Sequence, residues 1–171
     1  MKLALCALLA AGCGVAQATT APPRTTPALR PPDGNSVLLR AHARGVQIYT
    51  CKQNGDKYEW TLRAPEAELY DDRGGKLGSH FAGPTWKAQD GSQIVGELRE
   101  RQPSPSKDAV PWLLLSAKKS EGHGMLGEVR WIQRVDTQGG LAPTAGCDAD
   151  HVGHDARAPY EANYYFWSAS R

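Results

Sequence analysis

The chain has 171 residues, with 20 Lys and Arg against 18 Asp and Glu, for a formal net charge of +2 at pH 7. This length predicts a single domain, and the 40% share of hydrophobic residues beside only 22% charged ones excludes an intrinsically disordered protein. The balanced charge argues against a nucleic-acid partner, because no basic surplus is present to neutralise phosphates.

The N-terminus has the organisation of a secretory signal peptide. Lys2 precedes an apolar stretch over residues 3–15, and residues 16–18 supply the small side chains of a cleavage site. The apolar stretch is too short to cross a bilayer, which takes about 20 residues, and no second stretch of that length follows. We therefore predict a signal peptide over residues 1–18 and a secreted or periplasmic mature protein with no transmembrane segment.

A lipid anchor is the alternative to this cleavage. Residues 9–13 read LAAGC and resemble a bacterial lipoprotein box, which would place a lipid on Cys13 and hold the protein in the envelope. Ala10 stands where such boxes prefer Leu. Cleavage after Ala18 is therefore the favoured prediction.

Residues 19–34 are rich in proline. Five of the 12 prolines lie here, and the stretch has almost nothing to bury. Such a composition favours extended polyproline conformations, so we predict a linker that precedes a single β domain over residues 35–171.

The cysteines also depend on the signal peptide. Its removal leaves only Cys51 and Cys147. In an oxidising compartment an isolated pair indicates a disulfide, and two buried free thiols are the alternative.

Turn signals recur throughout the domain, with room between them for strands but rarely for helices. Residues 46–51 and 58–63 flank Asn54-Gly55, which predicts a hairpin in which Trp60 faces the core. A second hairpin is expected across Asp90-Gly91, and residues 112–115 predict a central strand covered on both faces. Residues 164–167 predict a closing strand. The fold class is therefore all-β, an antiparallel β-sandwich or flattened barrel, with short helical turns in loops.

Residues 122–127 match the dinucleotide-binding pattern G-x-G-x-x-G and include His123. The pattern works only when a helix follows it and an acid stands about 20 residues further on. Residues 128–135 are instead rich in β-branched and aromatic side chains. We therefore expect a loop here rather than an NAD-dependent dehydrogenase, and we expect no organic cofactor.

The densest polar cluster lies just after Cys147. His151 and His154, with Asp148 and Asp150, have donor atoms suited to a divalent metal. The alternative is an ordinary solvated loop.

Two further candidate residues lie near the turn at Gly83-Pro84. His80 is either an acid–base group or a brace for the turn. Trp86 either belongs to a stacking platform for a planar ligand or packs in the core. No G-x-S-x-G nucleophile motif occurs in the sequence, which argues against an α/β-hydrolase.

Several motifs occur in the order found in one family. They lie at residues 45–51, 60–67, 78–86, 90–92, 111–115, 133–135, 139–140, 146–147, 159–160 and 164–166. In these the chain resembles the secreted family called domain of unknown function 3455, found in bacteria and fungi. The resemblance implies no activity, ligand or catalytic residue, and it is consistent with a bridge between Cys51 and Cys147. Some fungal members carry a malate dehydrogenase label, which this sequence does not support.

With no convincing nucleophile or acid–base set, we predict a non-enzymatic extracytoplasmic binding or interaction module. The alternatives are a small metal-dependent or acid–base enzyme with a His/Asp site, and an envelope structural protein. An enzyme should gather His80, His123, His151 or His154 with carboxylates in one pocket, whereas a binding module can leave them apart.

Overall fold

The protein is an antiparallel sheet that closes on itself. A computed structural model describes residues 20–170, in which eight strands follow one another around a closed barrel in chain order. The strands are β1 (Asn35–Asn54), β2 (Lys57–Tyr70), β3 (Lys76–Phe81), β4 (Thr85–Ala88), β5 (Gln93–Gln102), β6 (Trp112–Glu121), β7 (Trp131–Gly139) and β8 (Asp155–Ala169). The all-β prediction is confirmed, and of its two architectures the barrel is the one formed.

The described part also contains two 3-10 turns, Pro27–Leu29 and Ala149–His151, as expected for the loops. No helix within residues 20–170 is long and apolar enough to span a membrane. The predicted signal peptide, its cleavage site and Cys13 lie outside the described residues.

Both predicted hairpins are formed. β1 pairs with β2 up to Asn54 and Lys57, and Gly55 takes the positive φ (+62°) that this tight turn requires. β4 pairs with β5 across a turn in which Gly91 has a φ of +86°. Trp60, however, is only half-buried, because the tip of the first hairpin is exposed, and its indole donates to the carbonyl of Ala145. The expectation of Trp60 in the core is wrong.

Alternation along the strands divides the side chains between the barrel interior and its outer surface. Sixteen buried residues form the main interior cluster: Ala41, Ala43, Ala67, Leu69, Trp86, Ala88, Ile94, Val110, Leu115, Leu126, Val129, Ile132, Tyr160, Ala162, Tyr164 and Phe166. A second cluster of Val135, Tyr165 and Trp167, with Val37, Trp112 and Trp131 packed against it, lies on alternate positions of the same strands. We call it the outer aromatic cluster. β6 is thus covered on both faces, as predicted.

The two ends of the barrel differ. In an up-and-down barrel the β1–β2, β3–β4, β5–β6 and β7–β8 connections all lie at one end, here called the mouth. At the other end, the sealed end, Leu126 and Val129 of the β6–β7 connection belong to the interior cluster and are 2% and 3% exposed. The sealed end is therefore filled by apolar side chains.

The predicted disulfide is confirmed. Cys51, near the end of β1, is bonded to Cys147 in the β7–β8 connection, with the two Cα atoms 5.3 Å apart. Two backbone hydrogen bonds surround it, from the Cys51 amide to the His154 carbonyl and from the Gly153 amide to the Cys51 carbonyl. The β7–β8 connection is therefore fixed to β1 at the mouth.

The proline-rich segment contacts the barrel more closely than its composition suggested. Leu29 is buried, and the Gln133 amide donates to the Leu29 carbonyl at 2.6 Å. The hydroxyl of Thr26 donates to Gln102 on β5. The segment thus has one apolar side chain to bury, although the domain boundaries at residues 18 and 34 stay a prediction.

Candidate functional site

The interior of the barrel contains a cavity of about 440 Å³. Every strand contributes to its lining, through Gln47 and Tyr49 of β1, Leu62 of β2, His80 of β3, Trp86 of β4, Leu98 and Arg101 of β5, Leu113 and Leu115 of β6, Arg134 of β7 and Tyr164 of β8. An eight-stranded barrel has an interior just wide enough to hold one small ligand when its side chains do not fill it. This cavity lies in the usual size range of small-molecule sites.

The cavity opens at the mouth, where its rim is apolar. Leu62, Leu98 and Leu141 line the cavity yet are 54%, 51% and 44% exposed. Three connections at the mouth also contribute lining residues, among them Pro84, Pro111 and Leu141. Exposed leucines grouped around one opening mark an interaction site rather than scattered surface residues.

The sealed end is held by a hydrogen-bond network outside the cavity. One carboxylate oxygen of Asp90 accepts from the amide and hydroxyl of Ser92, and the other accepts from the Met125 amide at 2.7 Å. The Ser92 hydroxyl in turn accepts from the Leu126 amide. These bonds, first that from Met125, lower the pKa of Asp90. They hold Leu126 in place as the plug of the barrel.

Aromatic rings form one wall of the cavity. His80 stacks on Trp86, and Tyr164 contacts both rings edge-on. His80 Nδ1 lies 2.8 Å from the Thr85 carbonyl, so Nδ1 carries the proton of the neutral ring and Nε2 is left as an acceptor. Burial lowers the pKa of His80 to about 3, against a raising effect of the Thr85 carbonyl and with a further lowering by the charge of Arg134. His80 is therefore neutral at physiological pH.

Three arginines line the cavity, and one of them, Arg63, is ion-paired with Asp155. Arg134 is only 9% exposed, and its Nε and Nη2 donate to the Pro111 carbonyl at 3.1 and 2.8 Å. Arg101 is exposed on β5. Both charges act on Tyr49, whose pKa is raised by burial and drawn back by Arg134 and Arg101. Among the described residues that line the cavity, none is Asp or Glu.

Hydrogen-bonding groups without a partner also line the cavity. Gln47 and Trp86 are each 1% exposed, and Gln47 Nε2 and Trp86 Nε1 have no hydrogen-bond partner in the described structure. Buried donors of this kind are nearly always satisfied in folded proteins, so their position on a cavity wall points to a ligand. Tyr49, by contrast, donates its hydroxyl to the Gly140 carbonyl.

Of the candidate site residues named from the sequence, His80 and Trp86 are the two that line the cavity. His123 is exposed in the β6–β7 connection at the sealed end, and the glycine-rich segment around it leads into β7 rather than into a helix. Gly124 in that segment lies against the Asp90 carboxylate. The G-x-G-x-x-G pattern is therefore part of the β6–β7 connection that closes the sealed end.

The four candidate metal ligands lie on the β7–β8 connection. Asp148 caps the 3-10 turn, accepting from the Asp150 amide, and its Oδ1 lies 2.6 Å from His151 Nδ1. The rings of His151 and His154 meet edge to face. Within residues 20–170, no three His, Cys, Asp or Glu residues are grouped so as to hold a metal ion. The metal site therefore stays a prediction, and the described residues do not bring three possible ligands together.

Among the site residues that were missed from the sequence, Gln47, Arg101 and Arg134 carry polar side chains. Gln47 lies four residues after the interior Ala43 in the same alternation along β1, so strand periodicity was a usable signal for it. Arg134 lies two residues after the interior Ile132, but a strand covered on both faces gives no polar side from which to read the alternation.

The chain was also compared with known proteins. The family described as a protein of unknown function, DUF3455, matches residues 31–168. The chain matches no curated protein and no solved structure.

Proposed function

Since the chain belongs to the DUF3455 family of proteins of unknown function, we propose a function from the cavity itself: the protein is a binding module that holds a small, largely apolar molecule inside the barrel. The observation that carries this proposal is the cavity of about 440 Å³ lined by all eight strands and opening between three exposed leucines. Apolar surface removed from water contributes about 25 cal/mol per Å², so such a cavity favours an apolar occupant.

The placement of the histidines supports binding over catalysis. His80 lies in the cavity, whereas His123 lies at the opposite end and His151 and His154 on the β7–β8 connection. His80 has no carboxylate beside it in the lining, and its low pKa leaves it unprotonated at neutral pH. A general acid–base pair needs both partners near the reacting atoms.

An extracytoplasmic location fits this function. The disulfide between Cys51 and Cys147 is compatible with an oxidising compartment. We propose that export removes residues 1–18 and that the mature protein meets its ligand outside the cytoplasm. Intact mass of the exported protein tests this: a chain beginning at Thr19 is expected, and a lipid-modified chain beginning at Cys13 contradicts it.

The binding proposal is tested with N-phenyl-1-naphthylamine, a neutral fluorescent probe of suitable size. We expect saturable 1:1 binding with increased probe fluorescence. Leu98→Trp places a larger side chain at the rim and should weaken binding about tenfold, because it narrows the mouth. Leu38→Trp is the matched control, since Leu38 is 41% exposed but does not line the cavity. Equal affinities of the two variants, or no saturable binding, would contradict the proposal.

A further inference from the structure

Resting on the proposed function, we infer that the ligand is an organic acid whose carboxylate is bound by Arg134 and Arg101 while its apolar body occupies the barrel. The proposal goes beyond an apolar occupant by naming the charged group and the two side chains that recognise it.

The first support is a buried cation without a counterion. Arg134 is nine-tenths buried, and a guanidinium stays charged in proteins. Its one hydrogen-bonded partner within residues 20–170 is the neutral Pro111 carbonyl, and it forms no ion pair with a described carboxylate. A buried charge is expensive unless it is paired, so a ligand anion would supply the missing partner.

The second support is a further cation at the same cavity. Arg101 also lines it, and it too forms no ion pair with a carboxylate in the described residues. Most other arginines of the barrel surface are paired, as Arg40 is with Asp72 and Arg157 with Glu66. Of the three arginines that line this cavity, Arg63 is paired with Asp155, whereas Arg101 and Arg134 form no ion pair within the described residues.

The third support is the chemistry of the neutral groups. The indole Nε1 of Trp86 can only donate a hydrogen bond, and the Gln47 side chain presents its unpartnered Nε2, also a donor. A carboxylate offers acceptors only and can take two parallel hydrogen bonds from one guanidinium. Donors without partners, with no carboxylate among the lining residues, match this ligand class better than an amine or a neutral hydrocarbon.

The apolar remainder of the cavity defines the body of the ligand. The rim leucines and the rings of His80, Trp86 and Tyr164 carry no charge at neutral pH, and Arg63 is already paired with Asp155. The organic acid is therefore expected to carry its charge at one end of a planar or aliphatic body.

The test compares two probes of nearly equal size, the anionic 2-naphthoate and the neutral 2-naphthamide, by titration calorimetry at pH 7. Each is also used to displace N-phenyl-1-naphthylamine, so that only binding in the cavity is counted. We expect the carboxylate to bind about tenfold or more tightly than the amide, because its hydrogen bonds to guanidinium are charge-assisted.

The variants assign the preference to the two arginines. Arg101→Gln alters an exposed side chain and should reduce the preference severalfold without affecting folding. Arg134→Lys keeps the charge but not the paired donors, so carboxylate binding should weaken more than amide binding. Arg73→Gln is the control, because it removes the same charge from the exposed β2–β3 turn, away from the cavity.

Each outcome decides a different point. Amide and carboxylate binding with equal affinity would overturn the anion proposal and leave the binding module standing. If N-phenyl-1-naphthylamine does not bind saturably and neither naphthalene compound binds, both the binding module and the anion proposal are overturned. A preference for the carboxylate that survives both arginine variants would show that these residues are not its source.

Discussion

The imidazole of His80 lies parallel to the indole of Trp86, with ring centroids 4.4 Å apart and an angle of 8° between the planes. Both residues face the cavity, and His80 is fixed from its other edge by the Thr85 carbonyl. A protonated ring at this position would be cut off from water on an apolar wall. The stacked pair therefore makes the fold sensitive to acid.

Replacement of His80 should change the pH dependence of stability. The unfolded chain binds a proton below the ordinary pKa of 6.5, whereas the folded protein excludes it down to about 3. This group therefore lowers the free energy of unfolding by about 1.4 kcal/mol per pH unit as the pH falls through that window, and has no effect above it. His80→Phe keeps a ring on Trp86 and should remove this part of the slope in urea unfolding between pH 6.5 and 4.5.

The same variant should lose about 1–3 kcal/mol at pH 7, because the Thr85 carbonyl loses its donor. His123→Gln is the control, since His123 is exposed at the sealed end. A slope for His80→Phe equal to that of the wild type would show that His80 titrates normally in the fold.

Loss of the disulfide should destabilise the protein without changing its fold. The bridge joins residues 96 apart, and removal of a native disulfide typically lowers the free energy of unfolding by about 2–5 kcal/mol. The double variant Cys51→Ser/Cys147→Ser should therefore melt at a lower temperature than the oxidised wild type. Reduced wild type should melt close to the double variant, and a bridge that contributes nothing would leave all three melting temperatures equal.

The carboxylate of Asp90 should control the closure of the sealed end. Asp90→Ala removes the acceptor of the Met125 amide and frees Ser92, so hydrogen exchange at the Met125 and Leu126 amides should become faster. Gly124→Ala should act in the same direction, since an added Cβ would lie 2.5 Å from an Asp90 oxygen and the φ of Gly124 is +155°. His123→Ala, in the same connection but exposed, should leave exchange unchanged.

Acid should have a similar effect on this loop. The hydrogen bonds that lower the pKa of Asp90 protect the folded loop above its ordinary pKa of 3.8, and the protection is lost as the pH falls further and the carboxylate is protonated. Protection of the Met125 amide that persists unchanged in Asp90→Ala would contradict this role.

Leu29 should anchor the proline-rich segment to the barrel. It is 1% exposed, so Leu29→Ala should lower the free energy of unfolding by about 2–5 kcal/mol in urea titrations. Leu38→Ala, at a position that is 41% exposed, should cost under about 1 kcal/mol. If residues 19–34 served only as a spacer, the two variants would be equally stable.

The sequence was most informative where local chemistry decides the outcome. Asn54-Gly55 and Asp90-Gly91 predict their hairpins because few other residues accept the positive φ of those turns. Alternation is also readable around Ala41 and Ala43, which lie inside, because Arg40, His42 and Arg44 on the other face are polar. The pair Cys51 and Cys147 followed from counting, once residues 1–18 were set aside.

It was least informative where distant strands meet. Trp131 and Val135 lie on the outer face of β7, where they belong to the outer aromatic cluster. Because this outer face is apolar, the alternation of polar and apolar residues along β7 could not show that Arg134 faces the interior. The choice between sandwich and barrel depends on whether β8 pairs with β1, which no local pattern reports. The cavity forms only when the barrel closes, so it could not be predicted from the sequence either.

The closing pair has a consequence for how the molecule is made. β1 and β8 pair along almost their full lengths, from Asn35 with Ala169 to Thr50 with Asp155. Contacts between such distant parts of a chain form slowly, because a long loop must close before they contribute. During synthesis every N-terminal fragment that lacks β8 leaves an edge of β1 unpaired. The chain can complete its folding only after its last strand has been made, which keeps it open to any process that requires an unfolded polypeptide.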